Sequence, residues 1–205
     1  MGELVLVRHG ETEWSRSGQH TGTTDLPLTE RGRAQSGRLR EVLHGRRFAR
    51  VVVSPLRRAR ETAELADLMN LGPMVEEPDL VEWDYGGYEG LTTPEISEQL
   101  GRPWTVFSDG VVPGKTPGES LEDVAARARA ALDRVRPLLD GEDDVALVGH
   151  GHQLRILLTQ YLGLAPAAGA LFVLDAGTVS RLGRYHGEPA VVTWNVDVDE
   201  GLGGA

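Results

Sequence analysis

The run Leu4-Val5-Leu6-Val7 breaks off abruptly at Arg8-His9-Gly10. A short unbroken apolar run reads as a strand buried on both faces of a sheet, which calls for helices above and below it. The event recurs twice: Val51-Val52-Val53 runs into Ser54-Pro55, and Val145-Ala146-Leu147-Val148 runs into Gly149-His150-Gly151-His152. In open α/β sheets, ligands bind beyond the carboxyl ends of the strands. If the three strands are parallel neighbours, Arg8, His9, His150 and the first turn of a helix carrying Arg57, Arg58 and Arg60 meet at one crevice. An arginine offers a fixed charge and a planar donor fork that suits phosphate. A histidine can be a nucleophile, a base or a metal ligand near neutral pH.

The remaining composition narrows the setting of that crevice. A chain of 205 residues, 40% hydrophobic, suits one domain over 1–205, with a frayed tail from about 196 to 205. A net charge of -10 argues against nucleic acid or an anionic membrane surface as partners, so clustered arginine is the more informative. Cysteine is absent, which removes disulfide and thiol chemistry. The first apolar run is too short for a signal peptide and no run approaches a membrane span, so a cytoplasmic protein is expected.

Along the chain, Trp14 to Asp25 reads as a loop that could wall the crevice. Thr29 caps a helix with Ala34, Leu39, Val42 and Leu43 on one face. Ser54-Pro55 caps and starts a helix with Ala59, Ala63, Ala66 and Met69 on its apolar face. Pro73 to Leu91 is irregular, and Thr93-Pro94 opens a short helix to Leu100. Gly101 to Gly118 reads as a long loop, a lid or a disordered segment. Ser120, with Asp123 in the capping-box place, starts a long helix that Pro137 ends or kinks. A helix over Leu154–Leu162 follows the third strand. Leu171–Leu174, Thr178–Tyr185 and Ala190–Trp194 read as further strands. Strand followed directly by helix is the pattern of a layered α/β domain.

Four motifs, in order, carry a resemblance. They are Arg8-His9-Gly10-Glu11-Thr12; Ser54-Pro55-Leu56-Arg57-Arg58-Ala59-Arg60-Glu61-Thr62-Ala63; Leu80-Val81-Glu82 with Gly86 and Glu89-Gly90; and Gly149-His150-Gly151. The set resembles the histidine phosphatase superfamily, phosphoglycerate-mutase-like branch. The resemblance implies a three-layer α/β/α sandwich with a mostly parallel mixed sheet. It also implies a phosphohistidine mechanism without metal or cofactor. By it, His9 attacks phosphorus, Arg8, Arg58 and His150 hold the non-bridging oxygens, and Glu82 protonates the leaving alcohol. The implied partner is a small-molecule phosphate ester; the sequence leaves a homodimer open.

Finer matches are to fungal sedoheptulose-1,7-bisphosphatases and actinobacterial acid phosphatases of that branch. The substrate-binding candidates are Ser15, Thr21, Gly22, Tyr85, Gly151 and His152. Ser15 stands where glycolytic mutases carry Asn. Thr92 to Gly118 offers only Arg102 and Lys115 in place of the mutases' basic insertion. The expectation is therefore a hydrolase acting on a small sugar phosphate, sedoheptulose 1,7-bisphosphate being one candidate. A phosphoglycerate mutase and a non-catalytic phosphate-binding or phosphoprotein-binding module are the alternatives. His20, Arg102 or His152 could meet a second phosphate. The pair His150 and His152 lacks the third ligand that a metal site needs.

Overall fold

The computed structural model describes residues 1–197. Its strands are β1 (Leu4–Arg8), β2 (Phe48–Val53), β3 (Met74–Glu76), β4 (Asp144–Gly149), β5 (Val179–Tyr185) and β6 (Glu188–Val196). Its helices are α1 (Glu13–Ser17), α2 (Glu30–Leu43), α3 (Arg57–Leu65), α4 (Thr93–Leu100), α5 (Val106–Asp109), α6 (Leu121–Val135) and α7 (Gly151–Leu162). The strands form one sheet in the order β3-β2-β4-β1-β5-β6. The first four in that order are parallel, and β5 and β6 are antiparallel to their neighbours.

Why the central strands read as unbroken apolar runs is visible in their alternation. Leu4 and Leu6 of β1, Val52 of β2, and Val145 and Leu147 of β4 pack with α6 and α7. Val5, Val7, Val51, Val53, Ala146 and Val148 pack with α2 and α3 on the opposite face. Both faces of the sheet are covered, so each side chain is withdrawn from water, at about 1.5–3 kcal/mol apiece for the larger ones. The result is a three-layer α/β/α sandwich. Register then aligns the strand ends, with Arg8 opposite Gly149 and Val53 opposite Val148. The three polar strand ends are neighbours at one edge of the sheet.

The structure corrects several local readings. Glu13–Ser17 is a short helix rather than loop, closed by a reciprocal capping box between Thr12 and Ser15. In α2, Ala34 is exposed; Gly32, Gln35 and Ser36 face inward because the helix packs tightly beneath Gly10 and Glu11. The helix after β2 begins at Arg57, since Leu56 is still extended, and Met69 lies past its end, exposed. β3 is a three-residue exposed strand, too short for periodicity to reveal. Gly101 to Gly118 is no bare loop: it holds α5, and Trp104, Val106 and Phe107 are buried in the core. Leu171–Leu174 is not a strand; Pro166–Leu171 forms a 3-10 turn that leaves Leu171 and Val173 exposed. α6 ends at Val135, just before Pro137, and continues as a 3-10 turn over Arg136–Asp140. The tail reading from about 196 falls mostly outside the described residues, and Val196 itself still pairs with Val179.

Candidate active site

His9 follows β1 directly. Its amide donates to Gly149 O at 3.0 Å and its carbonyl accepts from Gly177 N at 2.9 Å, so its main chain is held from β4 on one side and from the turn before β5 on the other. The ring is buried, and Nδ1 lies 2.7 Å from Gly10 O. A carbonyl only accepts, so Nδ1 carries the proton and Nε2 keeps its lone pair. Burial, then the charges of Arg58 and Arg8, push the His9 pKa well below its usual range. The imidazole is therefore neutral and nucleophilic at physiological pH.

Arg8 lines the same cavity, of about 160 Å³. Its Nη1 donates to Leu174 O, and its Nε is buried without a protein partner. A buried guanidinium N–H left unpaired is costly unless an anion accepts from it. Gly151 makes room for this group, because a Cβ there would stand 3.2 Å from Arg8 Cζ.

Behind His9 stand His150 and Arg58, both fully buried. The rings of His9 and His150 are 5.1 Å apart between centroids. Arg58 Nε donates to His150 Nδ1 at 3.1 Å; Nε2 of His150 must then carry the proton, which it gives to Ser54 Oγ at 2.7 Å. Three further N–H groups of Arg58 go to the carbonyls of Thr24, Thr21 and Gly22. Among the described residues, Nη1 has one acceptor, Thr24 O, for its two N–H groups. Burial first, then Arg58, keeps His150 neutral by lowering its pKa. The loop that supplies those carbonyls is itself held by Glu89, which accepts from Gly22 N and Thr24 N.

Glu82 sits in the irregular segment after a 3-10 turn at Pro78–Leu80. Its Oε1 accepts from Trp83 N and Gln153 N, both at 2.9 Å, and Oε2 from His152 N at 3.0 Å. The amino end of α7 thus grips the carboxyl group rather than pointing freely at the cavity.

The rest of the wall includes Ser15, Gln19, His20, Thr21, Tyr85, Gly151, His152 and Arg155. Tyr85 Oη and His152 Nδ1 are 2.6 Å apart, and His20 packs on Tyr85 and Trp104. Burial lowers the His20 pKa to about 4. Burial, then Arg155, pushes that of His152 well below its usual range. Among the six substrate-binding candidates, Gly22 is not in the wall: its N–H is committed to Glu89 and its carbonyl to Arg58. Ser15 is in the wall, but its hydroxyl is engaged with Thr12. Arg102 pairs with exposed Asp109 outside the cavity. Arg155 is the residue that sequence reasoning missed. It lies three residues after His152 on α7, and helical spacing places the two on one face. No group of three or more His, Cys, Asp or Glu poised to hold a metal occurs among the described residues. A larger cavity of about 400 Å³, walled by Arg136, Asp140, Tyr161 and Arg184, shares no lining residue with the cavity at the strand ends.

A sequence model of the histidine phosphatase superfamily (branch 1) matches residues 4–197. The chain belongs to that superfamily. Over 188 residues it is 38% identical to an acid phosphatase of Mycobacterium tuberculosis, covering 90% of this chain and 87% of the relative. It is 36% identical over 190 residues to sedoheptulose 1,7-bisphosphatase of Saccharomyces cerevisiae, covering 78% of this chain and 67% of the relative. A 2,3-bisphosphoglycerate-dependent phosphoglycerate mutase of Gloeobacter violaceus is 35% identical over 175 residues, covering 81% and 78%. The solved structure of the Mycobacterium tuberculosis open reading frame Rv3214 superposes with a TM-score of 0.87 at 35% identity, covering 96% of this chain and 98% of that one. The histidine phosphatase fold and membership of an enzyme superfamily rich in phosphatases are thereby established. No helix among the described residues is long and apolar enough to cross a membrane.

Proposed function

We propose that this histidine phosphatase hydrolyses a small phosphorylated sugar through a phosphohistidine on His9, without a metal. The observation that carries the reading is the tautomer of His9: Nδ1–H is fixed on Gly10 O, and Nε2 is left open beside Arg8. Nε2 attacks phosphorus and the P–O bond to the sugar breaks. Glu82, protonated on Oε2, gives its proton to the departing alkoxide. A water then attacks the phosphohistidine, Glu82 takes the water's proton, and inorganic phosphate leaves. Arg8, the open N–H of Arg58, and the dipoles around His150 counter the charge on the phosphoryl oxygens.

Arg155 supports a substrate with a second anionic group, because it places a second guanidinium in the wall of the cavity that His9 lines. Its Nε donates to Gly169 O and its guanidinium lies 4.8 Å from the Phe107 ring, which fixes its orientation. The polar neighbours Gln19, Thr21, His20 and His152 suit the hydroxyls of a sugar. Return of the phosphoryl group to a bound acid, as in the mutases, is the competing outcome. It requires a doubly phosphorylated intermediate to be retained and water excluded. Arg102, the one arginine between Thr92 and Gly118, stands outside the cavity.

The deciding experiment offers sedoheptulose 1,7-bisphosphate and 3-phosphoglycerate separately. Inorganic phosphate from the sugar and negligible 2-phosphoglycerate from the acid are expected. Arg155→Met should raise KM for the bisphosphate by about tenfold or more while sparing nitrophenyl phosphate. Efficient isomerisation of the acid would establish the mutase instead.

A further inference from the structure

Arg127 lies in α6, outside the cavity wall, and its side chain is only 11% exposed. All five of its N–H donors are engaged. Nε donates to Glu119 Oε1 at 2.8 Å and Nη2 to Glu119 Oε2 at 2.9 Å. The other three go to main-chain carbonyls of one short segment: Asp79 at 3.0 Å, Val81 at 2.5 Å and Glu82 itself at 3.1 Å. Glu119 grips the next residues. Its Oε2 accepts from Asp84 N at 2.9 Å, its amide donates to Asp84 O at 2.9 Å, and its carbonyl accepts from Trp83 Nε1 at 2.8 Å.

From Val81 to Asp84 the segment belongs to no strand or helix, so these contacts are a main hold on its backbone. We infer that Arg127 and Glu119 are positioning residues that set the carboxyl group of Glu82 for proton transfer. The inference rests on the proposed role of Glu82 as general acid. The carboxyl end of Glu82 is anchored on the first turn of α7; the ion pair anchors its backbone on α6. The two helices together fix where the proton is delivered. A catalytic group displaced by about 1 Å can lose on the order of a hundredfold in rate. Lysine cannot replace the arginine, since one ammonium offers three donors from a single atom and cannot span three carbonyls and a carboxylate.

The test compares leaving groups, because a nitrophenolate departs without help and an alkoxide does not. Phosphoenzyme formation is followed by rapid quench with glycerol 2-phosphate and with nitrophenyl phosphate, in wild type, Arg127→Met, Arg127→Lys, Glu119→Gln and, as the reference, Glu82→Gln. The proposal expects Arg127→Met to slow the alkyl ester by roughly 30-fold or more and the aryl ester by less than about threefold. Glu119→Gln should show the same preference in weaker form, and Arg127→Lys should not restore the alkyl rate. Each variant's thermal unfolding is recorded alongside; if Arg127→Met does not fold, Glu119→Gln carries the test. Equal slowing of both esters, or slowing of neither, while Glu82→Gln keeps its alkyl preference, overturns the clamp. Loss of that preference in Glu82→Gln itself overturns the reading of Glu82 as the acid.

Discussion

His9 and Glu82 face one cavity, yet the backbones beneath them are held in different ways. His9 continues a strand: its amide and carbonyl bond to Gly149 and Gly177, and the apolar strand behind it is buried on both faces. Glu82 follows a 3-10 turn, and its backbone is held by the guanidinium of Arg127 and the carboxylate and main chain of Glu119. The place of the proposed nucleophile is built from groups that every residue has, the glutamate's from two particular side chains distant in sequence. Substitutions should therefore act sharply and chemically at the strand ends, and in a graded, geometric way on the irregular side.

The largest effect separating the two should come from His9→Ala. It removes the atom that attacks the substrate's phosphorus in the proposed reaction, so kcat should fall by about 10⁴-fold or more. Rapid quench should show no acid-labile, base-stable phosphate on the protein. Retained turnover would break the assignment of the strand ends to phosphoryl transfer.

Next comes Arg58→Met, expected to act on stability as well as rate. It strips donors from the carbonyls of Thr21, Gly22 and Thr24 and from His150 Nδ1 in a buried site. A loss of about 3–5 kcal/mol in urea unfolding is expected, as for other removals from buried charged networks. A change below about 1 kcal/mol would mean that the loop from Thr21 to Thr24 is held by Glu89 alone.

A smaller effect is expected from pH. Burial lowers the pKa of His9, His150 and His152, and takes His20 from its ordinary 6.5 to about 4. Below pH 6.5 the unfolded chain takes up protons that the folded chain refuses, so stability rises with pH in that range. Tm should be nearly level above pH 7 and decline steadily from about pH 6.5 toward pH 4. A Tm that climbs on acidification would contradict the neutral state of these four histidines.

Arg102→Ala should do least. Its partner Asp109 is on an exposed stretch, and exposed ion pairs contribute about 0–1 kcal/mol. KM for a bisphosphate should stay within about twofold of wild type. A larger rise would bring the stretch from Gly101 to Gly118 into the site after all.

The same contrast explains what could be read from the sequence. β1, β2 and β4 announce themselves as apolar runs that stop at polar residues, so the meeting of Arg8, His9 and His150 is legible in the chain. Glu82 was visible only through resemblance, because a glutamate in an irregular segment has no periodicity to mark it. Arg127 looks like one more charge on a helix and Glu119 like one more in a loop, and the main-chain groups they hold lie tens of residues away. Arg155 left a usable trace, its helical spacing from His152. The stretch from Gly101 to Gly118 misled because its prolines and glycines mask Trp104 and Phe107, whose burial depends on contacts with distant segments.

Antiparallel β5 starts at the crevice, so the turn before it delivers Gly177 N to the carbonyls of both Arg8, at 3.2 Å, and His9. His9 is thereby as firmly tied as a residue in mid-sheet, although it stands where the chain leaves the strand. Its amide proton should exchange with solvent only when the sheet itself opens, on the timescale of global unfolding. The loss of backbone freedom at His9 then falls on the folding reaction, and each turnover of the proposed reaction begins with that ordering already complete.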